Sequence, residues 1–541
     1  MQPAMARSAA SVKGIHSSYP TALTPAMHPA LRAFSALAIV LLQGCVALPS
    51  LDGRTPSARL HDTADTRLGR SIAPIAQAHP GLSGVVPLIS GRDAFAARVR
   101  LAEVAERSLD VQYYLWRQDL SGTLLFDALR RAAERGVRVR LLVDDNNTGG
   151  VDGTLAALDA QPNIEVRLFN PFATRQWRAL GFVLDFARLN RRMHNKSFTA
   201  DNQATVIGGR NVGDEYFGAS EDVLFVDLDV LAIGPVVDDV SQDFDRYWAS
   251  ASSYPARRLL APAAPEDIAT LAAAAATVRH EPAGVAYLQS IDESPFMRRL
   301  LARSLEFEWT QVHLVSDDPA KGLGLASNDE LMWSRLKRVM KRPTRDLELV
   351  SPYFVPGAQG VEFFGGMARR GVKLNVLTNS FEATDVSAVH AGYAKRRRAL
   401  LEAGVGLFEM KRDGSASGAG EERSLHAGSG SSAASLHAKT FSVDGAHVFI
   451  GSFNFDPRSA RLNTEMAFVI DSPALARSIA DIFAGHVRDR AYEVQLAADG
   501  SLRWVEHVDG KPVVHDQEPG MTFWKRLGVS LLSLLPIDWL L

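Results

Sequence analysis

The chain has 541 residues, 46% apolar and 22% charged, which is ordinary for a globular protein of about two to four domains and excludes a mainly disordered or fibrous one. Lys and Arg number 59 against 61 Asp and Glu, for a formal charge of −2, which argues against a broad basic surface for gripping nucleic acid. A single cysteine excludes an intrachain disulfide and a Cys-based zinc cluster.

The apolar run 33–42 has the length of a signal-peptide core and is too short to span a bilayer. It ends at Leu42-Gln43-Gly44-Cys45, which resembles the lipobox of bacterial lipoproteins, a pattern that implies lipidation of Cys45 and its exposure as the mature N-terminus. The residues before the run are long and weakly charged for a signal n-region, so Met27 is the expected start. The alternative is a free thiol behind an uncleaved anchor. The expected organisation is a signal segment 1–45, a linker 46–84, a first lobe 85–250, connecting helices and loop 251–310, a second lobe 311–495 and a C-terminal segment 496–541.

The two lobes follow from an internal repeat. Residues 109–112 (Leu-Asp-Val-Gln) match 347–350 (Leu-Glu-Leu-Val), each a short strand pattern followed by aromatics. Arg135-Gly136-Val137 opens a strand as Arg370-Gly371-Val372 does, and 166–169 matches 405–408. Strand–helix–strand order, repeated, predicts an α/β fold of two similar lobes, each a mixed sheet flanked by helices, related by a pseudo-twofold axis. Within the second lobe, the Gly/Ser-rich stretch 413–435 is expected as a flexible loop, either a tolerated insertion or a lid.

Each lobe carries one long spaced motif. His194, Lys196, Asp201, Gly208 and Asn211 recur as His437, Lys439, Asp444, Gly451 and Asn454, at identical offsets. On a strand, His-x-Lys points both side chains to one face. Two lobes about a twofold axis then bring two imidazoles and two ammonium groups to one shared site. That set suits a phosphodiester: one imidazole attacks phosphorus, the other protonates the leaving oxygen, and the lysines neutralise the non-bridging oxygens. No metal and no other cofactor is called for, since the lysines and histidines supply the positive field. Asp227 and Glu465, each eight residues before the proline of Gly234-Pro235 or Ser472-Pro473, are the candidates to orient the imidazoles. Asp201 and Asp444 complete the candidate catalytic set, although their place at a strand-end turn suits a structural role. Asn211 and Asn454 either donate to phosphate oxygens or cap the following helix.

The duplicated His-x-Lys-x4-Asp-x6-Gly pattern resembles the signature of the phospholipase D superfamily, and Asn463-Thr464-Glu465 resembles its Asn-x-Glu element. Within it, residues 109–114, Asp144-Asp145-Asn146-Asn147-Thr148, the block 190–217 and the ending 536–541 resemble bacterial cardiolipin synthases of the C type. The resemblance implies a phosphohistidine intermediate, with His194 as nucleophile and His437 as general acid. It further implies that a phosphatidyl group moves from a phospholipid, phosphatidylethanolamine or phosphatidylglycerol, to phosphatidylglycerol. A phospholipase D giving the same intermediate to water, a metal-independent nuclease and a lipid-binding lipoprotein with a dead site are the alternatives.

His426 sits in a near copy of the second motif that lacks the lysine, and is expected as a loop histidine. The cluster 395–398 near His390 is expected either on a solvated helix face or against anionic headgroups. The tail 523–541, apolar with Trp524 and Trp539 near its ends, suits an interfacial anchor. The expected partners are phospholipids and a membrane surface in the bacterial envelope, facing the periplasm. No nucleic acid and no obligate protein partner is expected.

Overall fold

Strands Ser108–Leu115, Arg138–Asn147 and Ile164–Phe169 run parallel, joined through helices Leu120–Glu134 and Asp152–Asp159. Strands Asp346–Val350, Lys373–Asn379 and Val405–Met410 repeat that arrangement, joined through Gly357–Arg369 and then Ser387–Ala394 and Arg397–Glu402. All three sequence repeats fall on these strands. Gly136 and Gly371 turn a helix into its next strand at φ of 93° and 86°, a conformation that glycine adopts without strain. The computed structural model describes residues 47–220, 223–412, 433–508, 510–522, 524–526 and 528–529. Pro49–Leu541 forms one compact unit; Cys45 and Met27 precede it and lie outside the described residues, as do His426 and most of the tail.

Antiparallel strands complete a nine-stranded and a ten-stranded mixed sheet among the described residues. Each motif forms the hairpin beside the first parallel strand: Ser197–Ala200 with Ala204–Gly208, and Thr440–Val443 with His447–Gly451. Asp229–Ile233 and Met466–Asp471 come next in their sheets.

Alternation along these strands places the cores. Leu231 and Ile233 face the first lobe's helices, whereas Val230 and Ala232 face the other sheet. In the second lobe Ala467 and Val469 turn to their own helices, and Met466, Phe468 and Ile470 to the first lobe. The two sheets thus meet face to face through one apolar layer that includes Ile207, Val448 and Ile450. Burial on both faces is why these strands read as unbroken apolar runs.

The boundaries need correction. The expected linker 46–84 holds the helix Arg67–Gln77, capped by the Thr66 side chain, with Ile72 buried in the first core. The connecting segment 251–310 gives both ends, Ser253–Pro255 and Glu308–Thr310, to the first sheet. Strands Leu502–Val508 and Lys511–His515 extend the second sheet past residue 495, and 433–436, expected as loop, forms a strand. Three- to seven-residue edge strands carry too little periodicity to stand out in the sequence.

Asp201 and Asp444 also need correction as catalytic candidates. Asp201 accepts the backbone N–H groups of Glu106, Arg107 and Ser108 (2.7–3.2 Å), tying its turn to the start of the first parallel strand. Asp444 does the same for Thr344, Arg345 and Asp346. Both sit at positive φ, 51° and 53°. Asp201 follows Lys196 by five residues, about 16 Å along an extended chain. Asp201→Asn keeps the left-handed turn but loses an ionic acceptor, so it should cost about 2–3 kcal/mol in denaturant unfolding while kcat of the folded fraction is unchanged. The half-exposed Asp444 should cost less.

Candidate active site

The motif histidines and lysines lie in extended segments just before the hairpin strands, at 194–196 and 437–439, rather than within them. What holds these segments comes from the opposite lobe. Strand Val223–Val226 pairs in parallel with Ala433–Leu436, and the Val226 carbonyl accepts from His437 and Ala438 N–H (2.8 and 2.9 Å). In the twofold-related place, His194 N–H donates to the Thr464 carbonyl (2.8 Å) and Thr464 N–H to that of Arg192 (2.9 Å). Val226 and Thr464 immediately precede Asp227 and Glu465. Each carboxylate is therefore delivered to the imidazole of the other lobe.

Glu465 Oε2 lies 2.8 Å from His194 Nδ1, and Asp227 Oδ2 lies 2.6 Å from His437 Nδ1. A carboxylate on Nδ1 selects the tautomer that carries the proton there and leaves Nε2 as the reactive nitrogen. Lys196 donates to its own His194 carbonyl at 2.6 Å. Lys439 Nζ lies 3.1 and 3.2 Å from the two His437 ring nitrogens and bonds the His437 carbonyl. All six side chains are buried.

Burial and the two lysines push the His194 imidazole well below its ordinary pKa, and burial and Lys439 lower His437 to about 4, against the pull of Asp227. Both imidazoles are therefore neutral in the empty pocket at pH 7. Burial lowers Lys439 to about 8, offset in part by Asp227, and lowers Lys196 as well. The carboxylates differ. Burial pushes Glu465 up to about 7 against the pull of Lys196. Asp227 is buried too, but His437, Lys439 and Arg210 hold its carboxyl well below the usual range.

The copies also differ where Gly209 matches Ser452. Ser452 Oγ bonds the Glu465 carboxylate. A Cβ on Gly209 would lie 2.2 Å from Asp227 Oδ1, so only glycine leaves that carboxylate in place. Gly209→Ser should displace Asp227 and cut kcat about 100-fold at unchanged far-UV circular dichroism. Ser452→Gly removes one hydrogen bond, and its loss of kcat should be smaller.

Asn211 and Asn454 cap no helix. Gly213 precedes the helix Asp214–Phe217, and the Asp456 side chain caps Pro457–Arg461. Asn211 donates to the Tyr216 hydroxyl at 3.0 Å.

Several site residues were not singled out from the sequence. Tyr114 packs edge-on against His194 (5.0 Å between ring centroids) and Tyr216 against His437 (5.1 Å). The aromatics that follow the first strand were the available signal for Tyr114. The Asn379 side chain pairs with both backbone groups of Leu436 (3.0 Å each), and Asp144 accepts Met193 N–H at 2.8 Å, each bracing the residue before a motif histidine. Asp317 accepts the Glu465 N–H (2.9 Å) and the Lys321 ammonium (2.9 Å). In the basic cluster, Arg397 points inward, ion-paired with Glu409 at 2.7 Å and with Glu518, which also takes His390 at 2.6 Å. That side chain is neither solvated nor free for lipid, because the buried Glu409 and the partly buried Glu518 hold its charge.

A duplicated α/β fold with paired His-x-Lys segments across one interface defines the phospholipase D class. The family described as cardiolipin synthase, phospholipase D-like domain, matches residues 99–248 and 336–487, and the chain belongs to it. It is 50% identical over 476 residues to cardiolipin synthase C of Escherichia coli K12, across 88% of this chain and 100% of that one. A Helicobacter pylori protein is 30% identical over 520 residues, 92% of this chain and 98% of its own. The crystal structure of phosphatidylserine synthase from Haemophilus influenzae Rd KW20 superposes with a TM-score of 0.49 at 12% identity, covering 87% of this chain and 100% of that one.

Proposed function

We propose that the protein is a phosphatidyltransferase that makes cardiolipin, moving a phosphatidyl group from phosphatidylethanolamine or phosphatidylglycerol to phosphatidylglycerol through a phosphohistidine. The single observation that carries this reading is the pair of imidazoles, each held at Nδ1 by a carboxylate of the other lobe. His194 Nε2 attacks phosphorus while Lys196 and Lys439 offset charge on the non-bridging oxygens. The anionic diester raises the proton affinity of His437, which stands against the ionised Asp227, and His437 protonates the departing headgroup oxygen. His437 then takes the proton from a phosphatidylglycerol hydroxyl as that oxygen attacks phosphorus, and the His194–phosphorus bond breaks. Asn211 and Asn454 are assigned a supporting role beside the phosphate. Product analysis by mass spectrometry tests the reading. The purified protein should form cardiolipin from phosphatidylglycerol alone or from phosphatidylglycerol with phosphatidylethanolamine added, and the mixture that yields it identifies the donor. Phosphatidic acid without cardiolipin would mean that water is the acceptor instead.

The envelope placement is part of the same proposal, supported by the apolar run that ends at Cys45: a lipoprotein attached to the membrane and facing the periplasm. Radiolabelled palmitate should enter the wild-type chain and not Cys45→Ser.

The pH dependence follows from the charges. Lys439 loses its proton near pH 8, so kcat/KM on a soluble short-chain phospholipid should fall as pH rises through 8. His194 must be neutral to attack, and its pKa lies below the ordinary 6.5, so the acid limb should fall below pH 6.5. In Lys439→Arg the loss of that charge near pH 8 is removed, so the alkaline limb should be set by the His437 proton alone.

A further inference from the structure

Just before His194, the turn Arg175–Trp177 and the helix Arg178–Leu184 are built inside out. Their inner side is ionic. Arg175 Nη1 reaches both oxygens of the buried Asp145 at 2.7 Å and its Nε reaches Asp152 at 2.9 Å, while Arg178 donates to the Asp145 carbonyl at 2.8 Å. Gly181 seats the helix on Thr174, whose hydroxyl oxygen would lie 2.5 Å from a Cβ there. The outer side is apolar: Trp177, Leu180, Val183 and Leu184, spaced as one helical stripe, are 70%, 45%, 77% and 48% exposed. An ordinary surface helix has the reverse arrangement. Ion pairs that fix large apolar groups in water mark a surface that something covers.

The foot of this segment stands at the active site. Asn190 accepts from Arg458 at its side chain (2.9 Å) and its carbonyl (2.8 Å), and Arg458 adds to the positive field on His194. Arg191 donates to the Arg461 carbonyl at 3.1 Å. Arg461 lines an aromatic cavity of about 540 Å³ in the second lobe with Trp333, Phe363 and Phe455. Those three aromatics also line an adjoining cavity of about 550 Å³, which carries Lys337, Lys341, Arg342, Arg369 and Arg370 against the one acid Glu362 among its described residues. Arg191, seven residues past the stripe, thus ties the segment that carries it to the wall of the aromatic cavity that adjoins the basic one, through Arg461.

We propose that this face docks on an anionic phospholipid bilayer, the stripe 177–184 entering the interface and the cationic rim meeting headgroups. A tryptophan at the start of the stripe and an excess of cations beside it fit that occupant better than a second copy of the chain, which would set the cations against one another. The choice of a bilayer rests on the phosphatidyltransfer reading, since the substrates would then enter from the surface the protein rides on.

The test uses the full chain with Val183→Cys in a Cys45→Ser background, labelled at residue 183 with an environment-sensitive fluorophore. Vesicles of phosphatidylglycerol and phosphatidylcholine, with and without brominated acyl chains, are added. Docking is supported if the label brightens and the brominated chains quench it. Val183→Asp in the Cys45→Ser background should weaken vesicle affinity at least about tenfold and leave turnover of a dispersed short-chain phospholipid unchanged. A label that stays in water while the protein sediments with vesicles overturns the proposal. So does a label that brightens with protein concentration in the absence of lipid, which indicates a second copy. If the label is quenched but no phospholipid is turned over, docking stands and the catalytic reading falls.

Discussion

His194→Ala should lose at least about 10⁴-fold in turnover and recover none of it when the headgroup is replaced by a good leaving group such as p-nitrophenol. His437→Ala should lose about 10²–10⁴-fold with natural phospholipid and, with the p-nitrophenyl ester, regain the burst of p-nitrophenol but not steady turnover, because a leaving group of low pKa needs no proton whereas the acceptor hydroxyl still needs a base. The asymmetry has a structural basis. The two imidazoles are equivalent in the repeat, but His437 faces a carboxylate held ionised, whereas the carboxyl facing His194 is raised to about 7. An imidazole beside a fixed negative charge is the better one to load with a proton. A stopped-flow burst of p-nitrophenol measures both variants. Rescue of His194→Ala rather than His437→Ala would exchange the two roles.

The second large effect concerns the carboxylates and reports which lobe each one serves. Asp227→Asn should cost about 10³-fold or more, since a neutral amide on Nδ1 does not stabilise the imidazolium that His437 must form to protonate the leaving oxygen. It also removes an anion from beside Lys439 and Arg210, so thermal stability should fall with activity. Glu465→Gln should cost less, about 10²-fold, because that carboxyl already leans toward its neutral form near pH 7. The p-nitrophenyl ester should restore the burst of p-nitrophenol in Asp227→Asn and leave that of Glu465→Gln impaired, because Asp227 acts on the proton donor across the interface and Glu465 on the nucleophile. Were each acid serving the histidine of its own lobe, the pattern of rescue would be inverted.

The duplication, the α/β architecture and the four chemistry-bearing side chains were legible because two copies of one motif multiply the information in each. A single His/Lys/Asp/Gly match at these offsets arises from composition alone in fewer than about one chain in a hundred, and His194 and His437 each head one. The orienting acids were legible as residue types, since both precede a proline turn by the same interval. The exchange between lobes was not. It depends on Val226 and Thr464 pairing with backbone more than 200 residues away, and hydrogen bonds between main chains leave no trace in side-chain identity. The motif aspartates recur for another reason, the structural one their strand-end position suggested: Asp201 is specified as strictly by three backbone donors as by any reaction. The stripe at 177–184 escaped notice because its periodicity is that of any amphipathic helix, and the sequence does not say which side faces out.

The central claim is a covalent phosphatidyl–His194 intermediate in a site shared by the two lobes. The most direct measurement is peptide mapping by mass spectrometry after rapid quench of the His437→Asn variant with the p-nitrophenyl phosphatidyl ester, which needs no proton to leave, at neutral pH. The expected result is a phosphatidyl adduct on the peptide that contains His194, absent when His194→Ala is added. Turnover by the wild-type protein with no adduct in the variant, or an adduct that maps elsewhere, would contradict it.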